Sequence, residues 1–314
     1  LNTGDSLKRT LIVIAGPTAI GKTALAIELA QRLNTEIISA DSRQFYREMN
    51  IGTAKPSANE LAFAPHHLIN FLSIHDEYNA GRFEEDALKS IEQIFFKKET
   101  AILCGGSGLY IDIVCKGADK LPSRNSEIRN ELNKLYQESG IEELQKRLAD
   151  LDPEFYNQVD QNNPHRLIRA LEVCILTGKK YSELRKGKKQ QRPFNIIKIG
   201  LEDEREKVYQ RINERVDEMM KQGLLEEAKT LYPHRHLNAL QTVGYKELFD
   251  YLDNKTSLEE AINLIKQHTR NYAKRQWTWF RKDKEIHWFG SIQFEEITMF
   301  LDNKGIKKSL GSGA

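Results

Sequence analysis

The chain is short of cysteine, of long apolar runs and of charge of one sign. Its three cysteines, Cys104, Cys115 and Cys174, form no even set and have no metal-ligand spacing. Neither a disulfide framework nor a thiolate metal site is expected, and a reduced, cytoplasmic setting is. No apolar run approaches the length of a membrane span, and no signal peptide is expected at the start, so a membrane partner is not expected. No internal repeat is visible. The formal net charge is only +2 over 314 residues. With 39% hydrophobic and 29% charged residues, the composition is that of an ordinary soluble protein with material for one large or two modest domains. A monomer is expected.

The near-neutral total hides an uneven distribution. Between Asn162 and Lys198 there are ten Lys and Arg against Glu172 and Glu183 alone. Between Lys266 and Lys284 there are seven against Asp283, with Tyr272, Trp277, Trp279 and Phe280 interleaved. Either block by itself reads as a solvated face. Two together, one of them aromatic, point to a polyanion larger than a metabolite, with nucleic acid as the partner.

The most informative stretch is Leu11-Ile-Val-Ile-Ala15 followed by Gly16, Pro17, Thr18, Ala19, Ile20, Gly21, Lys22 and Thr23. A short buried strand runs into Gly-x-x-x-x-Gly-Lys-Thr, and then into Leu25, Leu29 and Leu33 at helical spacing. Strand, glycine loop and helix are the context that a phosphate-binding loop requires. Backbone N–H groups and the helix N-terminus would hold an anion. Lys22 would add a point charge, and the Thr23 hydroxyl could ligate Mg2+. The motif therefore predicts a ligand with at least two linked phosphates.

Glu36–Asp41 reads as a second strand ending on an acid, either a helix N-cap or a group on the ligand rim. Asn50–Pro56 is a turn-rich loop. His66 and His67 are adjacent and so diverge, which suits packing and a polar contact better than a metal. Helical spacing returns over Gly81–Phe96, and Thr100–Cys104 is a third strand ending on Gly105-Gly-Ser-Gly-Leu-Tyr110, which could bring Ser107 to the ligand. Residues 125–190 change character: Ser126–Leu135, Ile141–Leu148, a segment from Asp152 and His165–Thr177 are all helical. A strand over Phe194–Leu201 follows. Glu204–Met220 is a helix with Arg211 and Arg215 on one face, and a final helix covers Ser257–Arg281. The fold class is α/β: a P-loop NTPase-like parallel sheet flanked by helices, with an inserted helical domain. The core is expected over 9–124 and 194–302, the insertion over 125–193 and a tail over 303–314.

A kinase is the default for such a loop, but kinases and ATPases usually hold Mg2+ with a further strand-end Asp. Here the third strand ends in glycines, and Asp41 is the only strand-end acid expected. An acid beside an anion loop suits different chemistry, in which it takes a proton from a nucleophile that displaces pyrophosphate.

The motifs Gly16–Thr23, Asp41-Ser-x-Gln-x-Tyr-Arg-x-Met49, Ile51-Gly-Thr-Ala-Lys-Pro56 and Pro65-His-His-Leu68 occur in order. So do Gly105–Tyr110, Asn163-Pro-His-Arg-Leu167, Arg169-Ala-Leu-Glu-Val173, Gly244-Tyr-Lys-Glu247 and Arg275-Gln-x-Thr-Trp-Phe-Arg281. In these the chain resembles the bacterial tRNA dimethylallyltransferases, or isopentenyltransferases, from about Thr10 to Trp288. Two positions depart from the family pattern: Ser107 stands where Thr is usual, and Asn70 where Asp is usual.

The resemblance implies transfer of a dimethylallyl group from dimethylallyl diphosphate to N6 of the adenosine beside the anticodon, with Mg2+ assisting. It implies Asp41 as general base, Ser107 at the leaving-group oxygen, and Lys22 and Arg215 on the pyrophosphate. It further implies tRNA contacts from Asp41, Ser42, Arg43, Gln44, Ser107, Arg129, His165, Arg166, Leu167, Ile168 and Arg169. A prenyltransferase acting on free AMP or ADP and a nucleotide-kinase-type phosphotransferase are the competing readings.

Overall fold

The computed structural model describes residues 9–119, 121–185, 187 and 190–308. The expected loose start (1–8), the end of the expected tail (309–314) and three lysines of the first basic block (Lys186, Lys188, Lys189) lie outside the described residues. The chain divides into two compact units. One spans Lys116–Gln191, and the other comprises the residues on either side of it.

The larger unit is built on six strands: β1 (Thr10–Ala15), β2 (Ile37–Ser39), β3 (His66–His67), β4 (Thr100–Gly105), β5 (Asn195–Glu202) and β6 (Ile286–Gly290). All pairings are parallel, in the order β3-β2-β4-β1-β5-β6. The apolar run of β1 follows from its central place. Leu11, Val13 and Ala15 enter the core on one face of the sheet, while Ile12 and Ile14 enter the core on the other. A strand covered on both faces gains nothing from alternation, so it reads as continuously hydrophobic. Each of the leucine, valine and isoleucine side chains among them contributes about 1.5–3 kcal/mol by leaving water.

The structure corrects several expected elements. The second strand stops at Ser39, so Asp41 sits in the turn beyond it. The His66–His67 pair is the edge strand β3: Ile37 and Ile38 pair with it, His67 Nε2 lies 2.6 Å from Glu36 Oε2, and His66 Nδ1 lies 2.8 Å from the Ala64 carbonyl. The helix Leu258–Phe280 is not the last element, because β6 and the helix Phe294–Asn303 follow it. Asp41 is also not the sole acid at a strand end, since β5 runs out through Glu202 into Asp203.

The smaller unit is helical among its described residues. Its helices are Ser126–Leu151, Pro153–Tyr156, Pro164–Thr177 and Tyr181–Leu184. The two helices expected at its start are one run broken at Gly140, whose φ of 77° interrupts the helical path. Leu132, Leu144, Leu148, Phe155, Leu167 and Leu171 form its core. Among the described residues no helix is long and apolar enough to cross a membrane.

Candidate active site

Ligands of a parallel sheet gather at the carboxyl ends of its strands, and here β1, β2, β4 and β5 each deliver a polar segment to that rim. β1 delivers the loop Gly16–Thr23. Gly21, at φ 99°, ends the loop and opens the helix Lys22–Leu33, whose first amides are free to bind an anion. Lys22 Nζ donates to the Pro17 carbonyl at 2.7 Å, folding the lysine back over its own loop. Burial lowers the Lys22 ammonium to about 8; the Arg215 charge acts in the same direction, and the Asp41 charge opposes it. Cys104, on β4, is pushed up to about 11 by burial, so it is a thiol and not a thiolate.

Asp41 and Ser107 come together because β2 and β4 approach closely at their ends. Ala40 N donates to the Cys104 carbonyl (2.8 Å), and Ser107 N donates to the Ala40 carbonyl (3.3 Å). Gly105 makes this possible: a Cβ there would lie 2.2 Å from the Ala40 oxygen. The Ser107 hydroxyl then accepts from Ser42 N at 3.1 Å. Asp41 Oδ1 accepts from Arg43 N (2.8 Å) and Gln44 N (3.3 Å). Asp41 thus caps a turn on the rim, and since no helix starts there it is not a helix N-cap. Its Oδ2 receives no hydrogen bond among the described residues. Burial raises the Asp41 carboxyl above the usual carboxylate range, against the lowering pull of those two amides and of Lys22.

The turn after Asp41 is anchored from below. Phe45 is buried and meets Tyr46 and Tyr78 edge-on at 4.6 and 4.8 Å. Gln44 faces inward: Nε2 donates to the Thr53 and Ala54 carbonyls (3.2 and 3.1 Å), and Oε1 accepts from Ser39 (3.1 Å). Its side chain therefore holds the Ile51–Thr53 turn. From the far side Glu227 does likewise, accepting from the amides of Asn50, Ile51 and Gly52 at 2.9–3.0 Å and from the Tyr245 hydroxyl at 2.6 Å. Asn70 accepts from Lys55 Nζ at 2.5 Å. Lys55 so faces a neutral amide there, and burial lowers it to about 8, with Glu227 and Glu48 opposing.

On the other flank of β1, Asp203 accepts from Arg211 (2.5 Å) and Ser291 (2.9 Å). Those bonds hold its carboxyl below the usual range despite its desolvation. This acid is already paired, as is Arg211. Arg215, one turn further along the helix Arg205–Lys221, makes no hydrogen bond or ion pair among the described residues.

For a divalent cation, the described residues hold no group of three or more His, Cys, Asp or Glu side chains. Thr23 lies half-buried in the first helical turn. One hydroxyl beside a diphosphate fits Mg2+, which keeps waters and takes phosphate oxygens rather than a protein cage.

The helix Leu258–Phe280 also reaches the rim, with Tyr272 and Trp279 of the aromatic basic block and with Gln276, a residue not expected to have a role of its own. Burial pushes the Tyr272 hydroxyl up to about 12, with the Asp41 charge adding and the Ser107 hydroxyl opposing. Trp279 Nε1 donates to Asp112 at 2.7 Å. Gln276 bonds two rim turns. The available signal was a glutamine on the same stripe as Ala273, Trp277 and Phe280, all of them buried.

In the smaller unit the expected RNA-contacting residues separate into two kinds. His165 and Arg166 are exposed at the start of the helix Pro164–Thr177. Leu167 and Ile168 are 0% and 2% exposed, so their side chains pack in the core and cannot reach a ligand. Arg129 and Arg169 both donate to Oε2 of Glu172, at 3.1 and 3.0 Å, and Arg169 also donates to the Pro122 carbonyl. The basic blocks are likewise partly internal. Lys198 is buried between Asp283 and Glu285, Arg192 pairs with Glu84, and Lys266 pairs with Asp217.

The sequence matches the IPP transferase family over residues 44–283. A tRNA dimethylallyltransferase of Christiangramia forsetii is 56% identical over 91% of this chain and 94% of its own length. The tRNA dimethylallyltransferase 1 of Bacteroides thetaiotaomicron is 48% identical over 93% and 95%. The crystal structure of the tRNA isopentenylpyrophosphate transferase of Bacillus halodurans superposes with a TM-score of 0.71 at 39% identity, covering 94% of this chain and 96% of that one. A eukaryotic dimethylallyltransferase acting on tRNA superposes at 0.76 with 29% identity, covering 95% and 78%. Sheet order, rim chemistry and near-full-length similarity lead to one assignment: the chain belongs to the tRNA dimethylallyltransferase family.

Proposed function

We propose that this protein transfers the dimethylallyl group of dimethylallyl diphosphate to N6 of the adenosine adjoining the anticodon in tRNA and releases pyrophosphate. The observation that carries the reading is Asp41, with one oxygen fixed by the turn and the other open, beside a lysine-bearing anion loop. In the reaction the N6 nitrogen attacks the first carbon of the allyl group, and the carbon–oxygen bond to the diphosphate breaks. The departing proton passes from N6 to Asp41 Oδ2. An adenine amine is delocalised into its ring and is a weak nucleophile, so a desolvated carboxylate is worth about 10²–10⁴ in rate.

The loop amides, Lys22 and Arg215 receive the charge that develops on pyrophosphate, at about 3–4 kcal/mol for a well-placed donor. In leaving the Pro17 carbonyl, Lys22 exchanges a neutral acceptor for an anionic one. Ser107 donates to the bridging oxygen while its own oxygen stays held by Ser42 N. Mg2+, held by Thr23 and the diphosphate, would add Lewis-acid stabilisation of that leaving group. The exposed Arg166 and His165 contact the tRNA backbone, whereas Arg129 and Arg169 act through the shape that they give the insertion. The target base leaves its stack to reach Asp41.

The test is direct. Incubation with dimethylallyl diphosphate and an unmodified tRNA transcript should yield prenylated adenosine next to the anticodon with one pyrophosphate per transfer. Phosphate transfer from ATP, with the allylic diphosphate left intact, would overturn the reading. Faster prenylation of free AMP than of tRNA would move it to the small-molecule branch.

A further inference from the structure

Gln276 is 5% exposed, on the inward stripe of the helix Leu258–Phe280. Its Oε1 accepts from Thr18 N at 2.8 Å, and its Nε2 donates to the Gly106 carbonyl at 2.9 Å. Thr18 belongs to the anion loop after β1, and Gly106 to the turn after β4 that carries Ser107. The Pro17–Thr18 peptide is therefore gripped on both sides, its carbonyl by Lys22 and its N–H by Gln276. The missing side chain at Gly106 lets the carboxamide come this close, since a Cβ there would lie 2.2 Å from Gln276 Nε2.

The sheet by itself does not fix how the two turns face each other. Ala15 and Gly105 are the last register partners of β1 and β4, and both chains then turn out of the ladder. A side chain that bonds both turns just beyond that point sets their separation. A carboxamide suits this because it offers an acceptor to one N–H and a donor to one carbonyl from a single planar group. Burial makes the arrangement stringent, because an unpaired amide or carbonyl there would bear the full cost of desolvation.

We propose that Gln276 is a positioning residue for prenyl transfer. It ties the loop that holds the diphosphate to the turn that carries Ser107, and so sets the distance from the leaving group to the Asp41–Ser107 pair. The inference rests on the transfer reaction proposed above. A displacement of about 1 Å between reacting groups costs on the order of 10² in rate without weakening either substrate's contacts.

The experiment compares the full chain with its Gln276→Glu and Gln276→Met variants. It measures steady-state transfer to an anticodon stem-loop transcript, calorimetric binding of dimethylallyl diphosphate alone, and filter binding of the stem-loop alone. Gln276→Glu keeps the acceptor for Thr18 but turns a carboxylate toward the Gly106 carbonyl. Its kcat should fall about 10²-fold at high pH, while both dissociation constants stay within about threefold. Its deficit relative to the unsubstituted protein at the same pH should shrink about tenfold as pH falls toward about 6, where a buried carboxyl regains a proton and with it an O–H donor. Gln276→Met should show a comparable deficit that does not change with pH.

A Gln276→Glu deficit that stays constant with pH overturns the proposal, even if that variant is also less stable. So does a loss confined to donor affinity with kcat preserved. If the unsubstituted protein itself leaves the stem-loop unmodified, the proposed activity fails and the positioning role falls with it, an outcome distinct from a defect seen only in the variants.

Discussion

Lys22 and Arg215, on the sheet rim, have no carboxylate within ion-pair distance among the described residues, whereas Arg129 and Arg169, in the insertion, share one. The carboxylate between those arginines, Glu172, is 0% exposed, and its other oxygen accepts from Asn125 N at 2.7 Å. The rim keeps cations and one carboxylate oxygen open, at the expense of an ammonium lowered to about 8 and a carboxyl raised by burial. The insertion completes its charges internally and so fixes the path of its own helices. Similar residue types thus serve ligand binding in one region and architecture in the other. What separates them is whether a counter-charge is already in place.

The contrast is tested most strongly by Asp41→Asn. The amide oxygen still accepts from Arg43 and Gln44, so the turn persists while the base is removed. Single-turnover prenylation should slow about 10²–10⁴-fold, with donor affinity by calorimetry little changed. Near-normal turnover would mean that the rim acid is only a cap. On the other side, Glu172→Ala leaves two arginines half-buried without their shared partner. Urea unfolding should report a loss of about 3–5 kcal/mol, with Glu172→Gln losing less. An unchanged midpoint would show that these arginines are satisfied by water and would erase the distinction.

A smaller effect separates the arginines of the insertion from one another. Arg166→Ala should reduce the dependence of log affinity for a stem-loop on log salt by about 0.7–0.9, the release expected for one phosphate contact. Arg129→Ala should lower the melting temperature and leave that slope nearly unchanged. The reverse result would reassign the two residues.

The smallest effect concerns pH. Lys22 is charged below about 8, and a bound diphosphate favours that charged form. Donor affinity should therefore be greatest below that value and decline as pH rises through it. Lys22→Ala should flatten the decline in a calorimetric series with dimethylallyl diphosphate. A decline that survives the substitution would place the titrating group elsewhere.

Much of the core is legible in the sequence alone. A continuously apolar strand, a glycine loop and a helix with Leu25, Leu29 and Leu33 on one face are local patterns, and the local backbone obeys them. The acid at Asp41 and the hydroxyl at Ser107 were legible for the same reason, since each follows a strand and so falls on one rim of a parallel sheet. The two-residue β3 was not legible. It is too short to show a period, and only its pairing with Ile37 and Ile38 makes it a strand. The basic blocks misled in part, because sequence counts charges without their partners: Lys198 and Arg192 are held inside by acids far away along the chain.

Spacing within one short stretch is a property of the chain, so the phosphate loop, the strand-end acid and the helical character of 125–190 could be read directly. Which polar groups remain open is a property of pairs distant in sequence. Glu172 and Arg129 are 43 residues apart and Gln276 and Thr18 are 258 apart, and only packing brings each pair within hydrogen-bonding distance. The chain order settles where charge can be placed, and burial together with long-range partners decides which charge is left to act.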